Sequence, residues 1–108
     1  MDSVALNGRW SATAAGTDSG ATATKSAVSS KVIVTDHVSG HVDADSTIQL
    51  KDGSTVLAEW KIDVSVEGIS FSFTNPNGWV ASRDAAVTAV IASSSADCQI
   101  NATGFTIQ

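Results

Sequence analysis

The chain has 108 residues, of which only 16% are charged, and its net charge is −5. This length holds one hydrophobic core and excludes a second independent domain. The six cations are scattered, which excludes the basic stripe that is typical of nucleic-acid binding. No apolar run is long enough to span a bilayer and no signal peptide is visible, so we expect neither a nucleic acid nor a membrane as a partner.

The first part of the sequence lacks a regular pattern. Residues 1–20 are small and polar, with Leu6 and Trp10 as isolated apolar groups. We therefore predict an extended N-terminal arm outside the main sheet, and one folded domain over residues 21–108.

From residue 21 onward, apolar and polar residues alternate with a period of two, which predicts β-strands. Gly104 shifts this phase, as a β-bulge would, so that Phe105 and Ile107 continue the core face. A tight turn is predicted at Asp52 and Gly53. The predicted strands cover 21–28, 31–38, 46–51, 56–66 (one strand, or two joined by a bend), 69–74, 85–92 and 98–102.

This number of short strands, seven or eight, predicts an all-β fold, an antiparallel β-sandwich of jelly-roll type. Its inward side chains are largely alanine and valine, and aromatic residues make up only 6% of the chain. Small side chains bury little apolar area, so a single copy would be modestly stable. We expect the protein to associate with itself.

The segment 74–82 contains the only proline of the chain. Pro76 presets φ, and Asn77 and Gly78 tolerate positive φ, which predicts a turn between two strands. Two interpretations of the next residue, Trp79, are open. Either its ring is a lid over one end of the core, or it is exposed and stacks on a sugar ring, with Asn77 in the same ligand loop. We favour the lid, because tryptophan beside a strand end is usually buried.

The segment 36–45 gathers two histidines and three aspartates. Such groups suit a divalent cation if the loop folds back on itself. On a strand, however, Asp36 and His37 point to opposite faces, and Gly40 indicates a turn. We therefore predict a solvated surface with no metal and no cofactor; a shared ion held by His37 or His41 of three subunits is the alternative.

No catalytic signature is present. The sequence contains no G-x-S-x-G turn and no glycine-rich phosphate loop. The single cysteine, Cys98, lies on an alternating apolar face, which favours a core position over a nucleophile. The sequence predicts a protein that is not an enzyme.

Within residues 1–20, Arg9 and Trp10 form a pair of the kind found in interface hot spots. With Leu6, they are our candidate partner-binding residues. The alternative is that this segment is a strand of its own domain, with Trp10 in the core.

Three stretches of the sequence resemble small structural proteins of tailed-phage virions. They are the run KVIVTDHVSGHVDADSTIQLKDGSTVLAEW, the tripeptide NGW, and the closing strand CQINATGFTI, with an alanine-rich strand between the last two. The resemblance begins near residue 22. It implies a jelly-roll-like sandwich on the virion surface, often trimeric, that acts as a head decoration protein or as a knob of a tail or fibre.

Two functions follow as hypotheses. The first is a capsid decoration (cement) protein that assembles in the host cytoplasm and binds the major capsid protein as a homotrimer, with the segment from Leu6 to Trp10 as its anchor. The alternative is a receptor- or glycan-binding knob, for which Asn77 and Trp79 are the candidate ligand residues.

Overall fold

The computed structural model describes residues 9–17, 19–64, 68–92 and 97–107. In these ranges the chain forms strands and connecting turns, and no helix there is long and apolar enough to cross a bilayer. The eight strands are β1 (Arg9–Gly16), β2 (Ala21–Lys25), β3 (Val32–Val42), β4 (Ser46–Asp52), β5 (Thr55–Ile62), β6 (Ile69–Arg83), β7 (Val87–Ala92) and β8 (Cys98–Ile107).

The strands form two four-stranded antiparallel sheets. The first sheet has the order β1-β8-β3-β6, and the second has the order β2-β7-β4-β5. Within the sheets, β1 pairs with β8, β2 with β7, β3 with β6 and β4 with β5, so the chain behaves as one long hairpin wound into two layers. This is the jelly-roll arrangement. The predicted fold class is confirmed.

The core lies between the two sheets, as period-two alternation requires. Its most deeply buried large side chains are branched aliphatics. They are Ile33, Val38, Val42, Ile48, Leu50, Ile91 and Ile100, each at most 1% exposed.

The two lateral margins of the sandwich are filled differently. At one margin β1 lies close to β2, and small side chains face inward; we call Ala12, Ala14, Ala21 and Ala23 the alanine seam. At the other margin β5 faces β6, and rings fill the space; we call Trp60, Phe71, Phe73 and Trp79 the aromatic seam.

The prediction of an arm outside the sheet is corrected for residues 9–16. This stretch is strand β1, which pairs with β8 in unbroken register from Arg9 opposite Phe105 to Gly16 opposite Cys98. Its alternation was hidden because alanine, serine and threonine differ little in hydrophobicity. Residues 1–8 lie outside the described part of the chain.

The turn predicted around Pro76 is also corrected. Residues on both sides of it belong to one strand, β6, and the irregularity is absorbed by shifts in the pairing with β3. Proline is tolerated here because β6 is an edge strand, so the missing N–H leaves no ladder bond unmade. Gly78 supplies the positive φ, 80°, that the bend needs.

The phase shift predicted at Gly104 lies instead on the neighbouring strand. The extra residue is Asp36 in β3, because Thr35 pairs with Gly104 and His37 pairs with Thr103. Strand β8 itself runs without a bulge. Phe105 and Ile107 therefore point away from the core, onto the outer face of the first sheet, which corrects the prediction that they continue the core face.

Candidate ligand-binding surface

The outer face of the first sheet carries a four-strand-wide array of side chains that are polar at every position except Ala15 and include no Asp, Glu, Lys or Arg. The pairing aligns them in three rows across β1, β8, β3 and β6. Three inter-strand spacings of about 4.8 Å make this face about 14 Å wide. The rows, which we call the polar face, are Ser11–Thr103–His37–Thr74, Thr13–Asn101–Ser39–Ser72 and Ala15–Gln99–His41–Ser70.

Hydrogen bonds between strands hold several of these side chains in place. His37 Nδ1 lies 2.9 Å from Thr74 Oγ1, and His37 Nε2 lies 3.4 Å from Ser72 Oγ. The hydroxyl of Thr13 donates to Asn101 Oδ1 at 2.9 Å. Because these side chains are already ordered, a ligand that binds them loses less side-chain entropy on binding.

One ion pair borders the polar face. The Arg9 guanidinium donates to Asp36 Oδ2 at 2.9 Å, and the Thr103 hydroxyl donates to Asp36 Oδ1 at 3.1 Å. Half of the Arg9 side chain is exposed, so the pair is screened by water and adds little stability. Arg9, predicted to bind a partner, is thus placed at the border of this face.

Beyond the ion pair, the same face becomes apolar. Val34 pairs with both Phe105 and Val80, and Val32 pairs with Ile107. Val80 is 55% exposed and Ile107 is 43% exposed, whereas Val34 is buried beneath its neighbours. We call Val32, Val34, Val80, Phe105 and Ile107 the apolar end.

The polar face and the apolar end were missed in the sequence analysis. The signal was present in β8, where Gln99, Asn101 and Thr103 are in phase with Phe105 and Ile107. A bulge at Gly104 would turn these apolar residues toward the core, and the sequence of β8 alone does not show that the bulge lies on β3. Only the pairing with β3 shows that all five side chains share the outer face.

The ring of Trp79 belongs to the aromatic seam. It packs edge-on against Trp60 at a centroid distance of 5.4 Å, and Trp60 stacks on Phe73 at 4.1 Å with an interplanar angle of 3°. Trp79 is half-buried and contacts the core, as the lid interpretation requires. The exposed Asn77 lies two residues away, and its backbone N–H donates to Asn75 Oδ1 at 3.1 Å.

The other predicted residues are distributed as follows. The indole of Trp10 faces inward and is half-buried, and its Nε1 donates to the carbonyl of Phe105 at 3.3 Å. The alternative interpretation, a strand with Trp10 in the core, is therefore the correct one for this residue. Leu6 lies outside the described residues.

The histidine-bearing segment is mostly strand. His37 and His41 both lie on the outer face of β3, and Gly40 continues the strand rather than turning it. Within the described ranges, no group of three or more His, Cys, Asp or Glu side chains is arranged to hold a metal ion.

A shallow groove of about 180 Å³ lies where β4 begins and β5 ends. Its lining includes Asp45, Lys61 and Asp63. Asp45 Oδ1 accepts the backbone N–H of Val64 at 2.7 Å, so this carboxylate serves to hold the chain after β5. Cys98 is buried, and burial raises the pKa of its thiol, which makes it a poor nucleophile.

No protein-family model matches the chain, and no curated protein matches it. Among solved structures, it is similar to the carbohydrate-binding module CBM6-3 of Clostridium stercorarium in complex with cellobiose, at a TM-score of 0.47, 15% identity, and coverage of 86% of this chain and 72% of the other.

Two further structures are similar to it. The CBM36-1 domain of a multidomain xylanase from the hindgut metagenome of Trinervitermes trinervoides has a TM-score of 0.44 and 13% identity, with coverage of 85% and 75% of the two chains. A carbohydrate-binding module CBM36 in complex with calcium and xylotriose has a TM-score of 0.42 and 9% identity, with coverage of 88% and 76%. At these values the likenesses carry no argument about this chain's ligand.

Proposed function

We propose that this protein is a carbohydrate-binding β-sandwich that holds a neutral glycan on the outer face of its first sheet. One observation carries the proposal: the apolar end follows the polar face along three of its four strands, β8, β3 and β6, with the Arg9–Asp36 ion pair at the border. A sugar ring has both kinds of surface, C–H groups on its faces and hydroxyls at its edge. Apolar side chains beside a few placed polar groups are the usual make-up of a small-ligand site.

The polar face fits a neutral ligand better than a charged one. Its three rows contain no Asp, Glu, Lys or Arg, and the nearby charges of Arg9 and Asp36 are paired with each other. Amides and hydroxyls each donate and accept, so Asn101, Thr103 and Gln99 match the donors and acceptors of sugar hydroxyls. An anionic glycan would find no free cation within these rows.

The capsid-decoration hypothesis stays a prediction. Its anchor was the segment from Leu6 to Trp10, but Trp10 lies inward and Arg9 is paired with Asp36. The glycan-binding alternative from the sequence analysis is therefore preferred, with its site moved from the loop at Asn77 and Trp79 to the outer face of the first sheet.

The test is binding to a panel of neutral glycans, including cello- and xylo-oligosaccharides, by titration calorimetry and affinity electrophoresis. The double variant Asn101→Ala/Thr103→Ala removes two central polar groups of β8, and we expect binding at least tenfold weaker, about 1.4 kcal/mol or more. The matched control is Thr22→Ala/Thr24→Ala, because these threonines lie exposed on the outer face of the second sheet. Equal binding by both variants, or no binding of any neutral glycan by the native chain, would contradict the proposal.

A further inference from the structure

Four strands form the edges of the two sheets: β1 and β6 in the first, β2 and β5 in the second. An edge strand presents unpaired N–H and C=O groups, and proteins usually protect it by proline, bulges, charges or short length. Among the described residues, three of these edges carry such protection and one does not.

The protected edges are easily recognised. Strand β6 contains Pro76 and register shifts. Strand β5 has the charged residues Glu59 and Lys61 and a shift in its pairing with β4. Strand β2 has only five residues and ends at Lys25.

Strand β1 has none of these features after its first residue. Its eight residues pair with β8 without a bulge, and beyond Arg9 they include no proline and no charge. No backbone hydrogen bond joins another described residue to its free side. Among the described residues, nothing therefore pairs with this edge, and an added strand fits it.

We propose that the added strand is β1 of a second copy of this chain, paired antiparallel across a two-fold axis. Directly opposed residues of two antiparallel strands point to the same face of a sheet. The outer faces of the two copies therefore lie on the same side of the joined sheet only if odd-numbered residues oppose odd-numbered ones, which requires the two-fold axis to pass between a residue and its own copy. An axis at Ala12 places Ser11 opposite Thr13 and Arg9 opposite Ala15. An axis at Thr13 places Thr13 opposite itself and Ser11 opposite Ala15.

Both registers are electrostatically compatible with self-pairing. The only charge on the strand, Arg9, meets a neutral residue in each, so no like charges are opposed although each copy carries −5 overall. The opposed side chains are small, so the strands approach without steric conflict. On strand β5, by contrast, an axis at Glu59 or at Lys61 would oppose like charges, so self-pairing there is restricted in register in a way that self-pairing of β1 is not.

The paired dimer would have one continuous eight-stranded sheet. Seven spacings of about 4.8 Å would make its outer face about 34 Å wide. If the proposed function holds, the two polar faces become one platform, and a long glycan would gain affinity by contacting both copies. This last consequence rests on the proposed function, whereas the dimer itself does not.

The test is sedimentation equilibrium of the protein over a wide concentration range, with no glycan present. We expect a reversible dimer, and the variant Ser11→Lys/Thr13→Lys should weaken it at least tenfold, because either register brings introduced lysines near each other across the axis. The matched control, Ser70→Lys/Ser72→Lys, adds the same charge to the opposite edge of the same sheet and should leave the dimer unchanged. Circular dichroism and thermal melting verify that each variant folds.

A charge swap distinguishes a second copy from any other strand. Ser11→Glu/Thr13→Glu should also be monomeric alone, but an equimolar mixture with the lysine variant should recover association. A native chain that stays monomeric up to its solubility limit, a lysine variant that associates like the native chain, or a mixture without recovery would each overturn the inference. Glycan binding by a monomeric native chain would leave the proposed function standing while this inference fails.

Discussion

The two seams of the sandwich fill the space between the edge strands of the two sheets with side chains of very different size. At the alanine seam, side chains of one carbon let β1 and β2 approach closely, and little apolar area is buried per residue. At the aromatic seam, β5 and β6 stay farther apart, and stacked rings fill the gap. We therefore expect the aromatic seam to contribute more to the free energy of unfolding than the alanine seam. The alanine seam depends on the close approach of β1 and β2, so it has little tolerance for larger side chains.

The largest effect is expected at Trp60, whose ring is stacked on Phe73 and contacts the edge of Trp79. We expect Trp60→Ala to lower the free energy of unfolding by about 4 kcal/mol, since both ring contacts and the burial are lost. Urea denaturation followed by circular dichroism measures it. Trp60→Phe keeps an aromatic ring and should lose less than half as much; an alanine variant as stable as the native chain would refute the assignment of stability to this seam.

Trp79→Ala should lower the free energy of unfolding by about 3 kcal/mol, because this ring has one aromatic partner in the seam whereas Trp60 has two. Binding of a neutral glycan, measured by calorimetry at a temperature where the variant is folded, should be retained. Loss of binding in a folded variant would return the ligand site to the loop of Asn77 and Trp79.

The alanine seam is tested by adding volume. Ala23 is 3% exposed and faces inward on β2, so Ala23→Leu should cost about 2 kcal/mol by overpacking. Thr24→Leu, the next residue on the same strand, points to solvent and should change stability by less than about 0.5 kcal/mol. Equal thermal midpoints for the two variants would show that this margin is not closely packed.

Thr35 lies between the two margins, opposite Trp79 on one side and Gly104 on the other. Its hydroxyl is fully buried and has no hydrogen-bond partner among the described residues. Thr35→Val removes the unpaired polar group at nearly constant volume and should raise the free energy of unfolding by about 1 kcal/mol. Thr35→Ser keeps the hydroxyl and should give no gain; destabilisation by valine would mean that the hydroxyl has a partner.

The smallest effect is expected at Cys98, whose residue pairs with Gly16 at the end of the alanine seam. Burial raises the pKa of its thiol, the backbone hydrogen bond to Gly16 lowers it, and Asp43 and Asp97 raise it further. The neutral thiol's contribution to stability is complete below the unfolded pKa and is lost as the pH rises through the folded pKa. Thermal midpoints should fall slightly more in alkali for the native chain than for Cys98→Ser, and an identical pH dependence would contradict this.

The sequence was sufficient for the fold wherever large and polar residues alternate. In β4, the buried Ile48 and Leu50 alternate with Gln49 and Lys51, and this pattern predicts the strand without knowledge of the strands beside it. Strand β1 was missed because Ala, Ser and Thr give almost no contrast, so only the pairing with β8 reveals it. The local sequence of β1 cannot show this pairing, because β8 is separated from it by nearly the full length of the sequence.

The candidate surface was harder to predict than the fold, for a related reason. The surface depends on the position of one β-bulge. An extra residue on either of two paired strands shifts their register by one residue in the same way, so the shift alone does not show which strand carries the bulge. Glycine suggested β8, but the extra residue is Asp36 on β3. Because the strand that carries the bulge decides which face Phe105 and Ile107 occupy, the sequence pattern alone does not reveal the apolar end.

The pairing of Arg9 with Phe105 also bears on how the molecule is made. The only strand that pairs with β1 among the described residues is β8, the last described strand to be synthesised, so the first sheet lacks this pairing until β8 has emerged. Such widely separated pairing slows folding, because a long loop must close before any bond is gained. During that interval the newly made β1 is without its partner, and nascent chains on neighbouring ribosomes are then most exposed to exchange of strands.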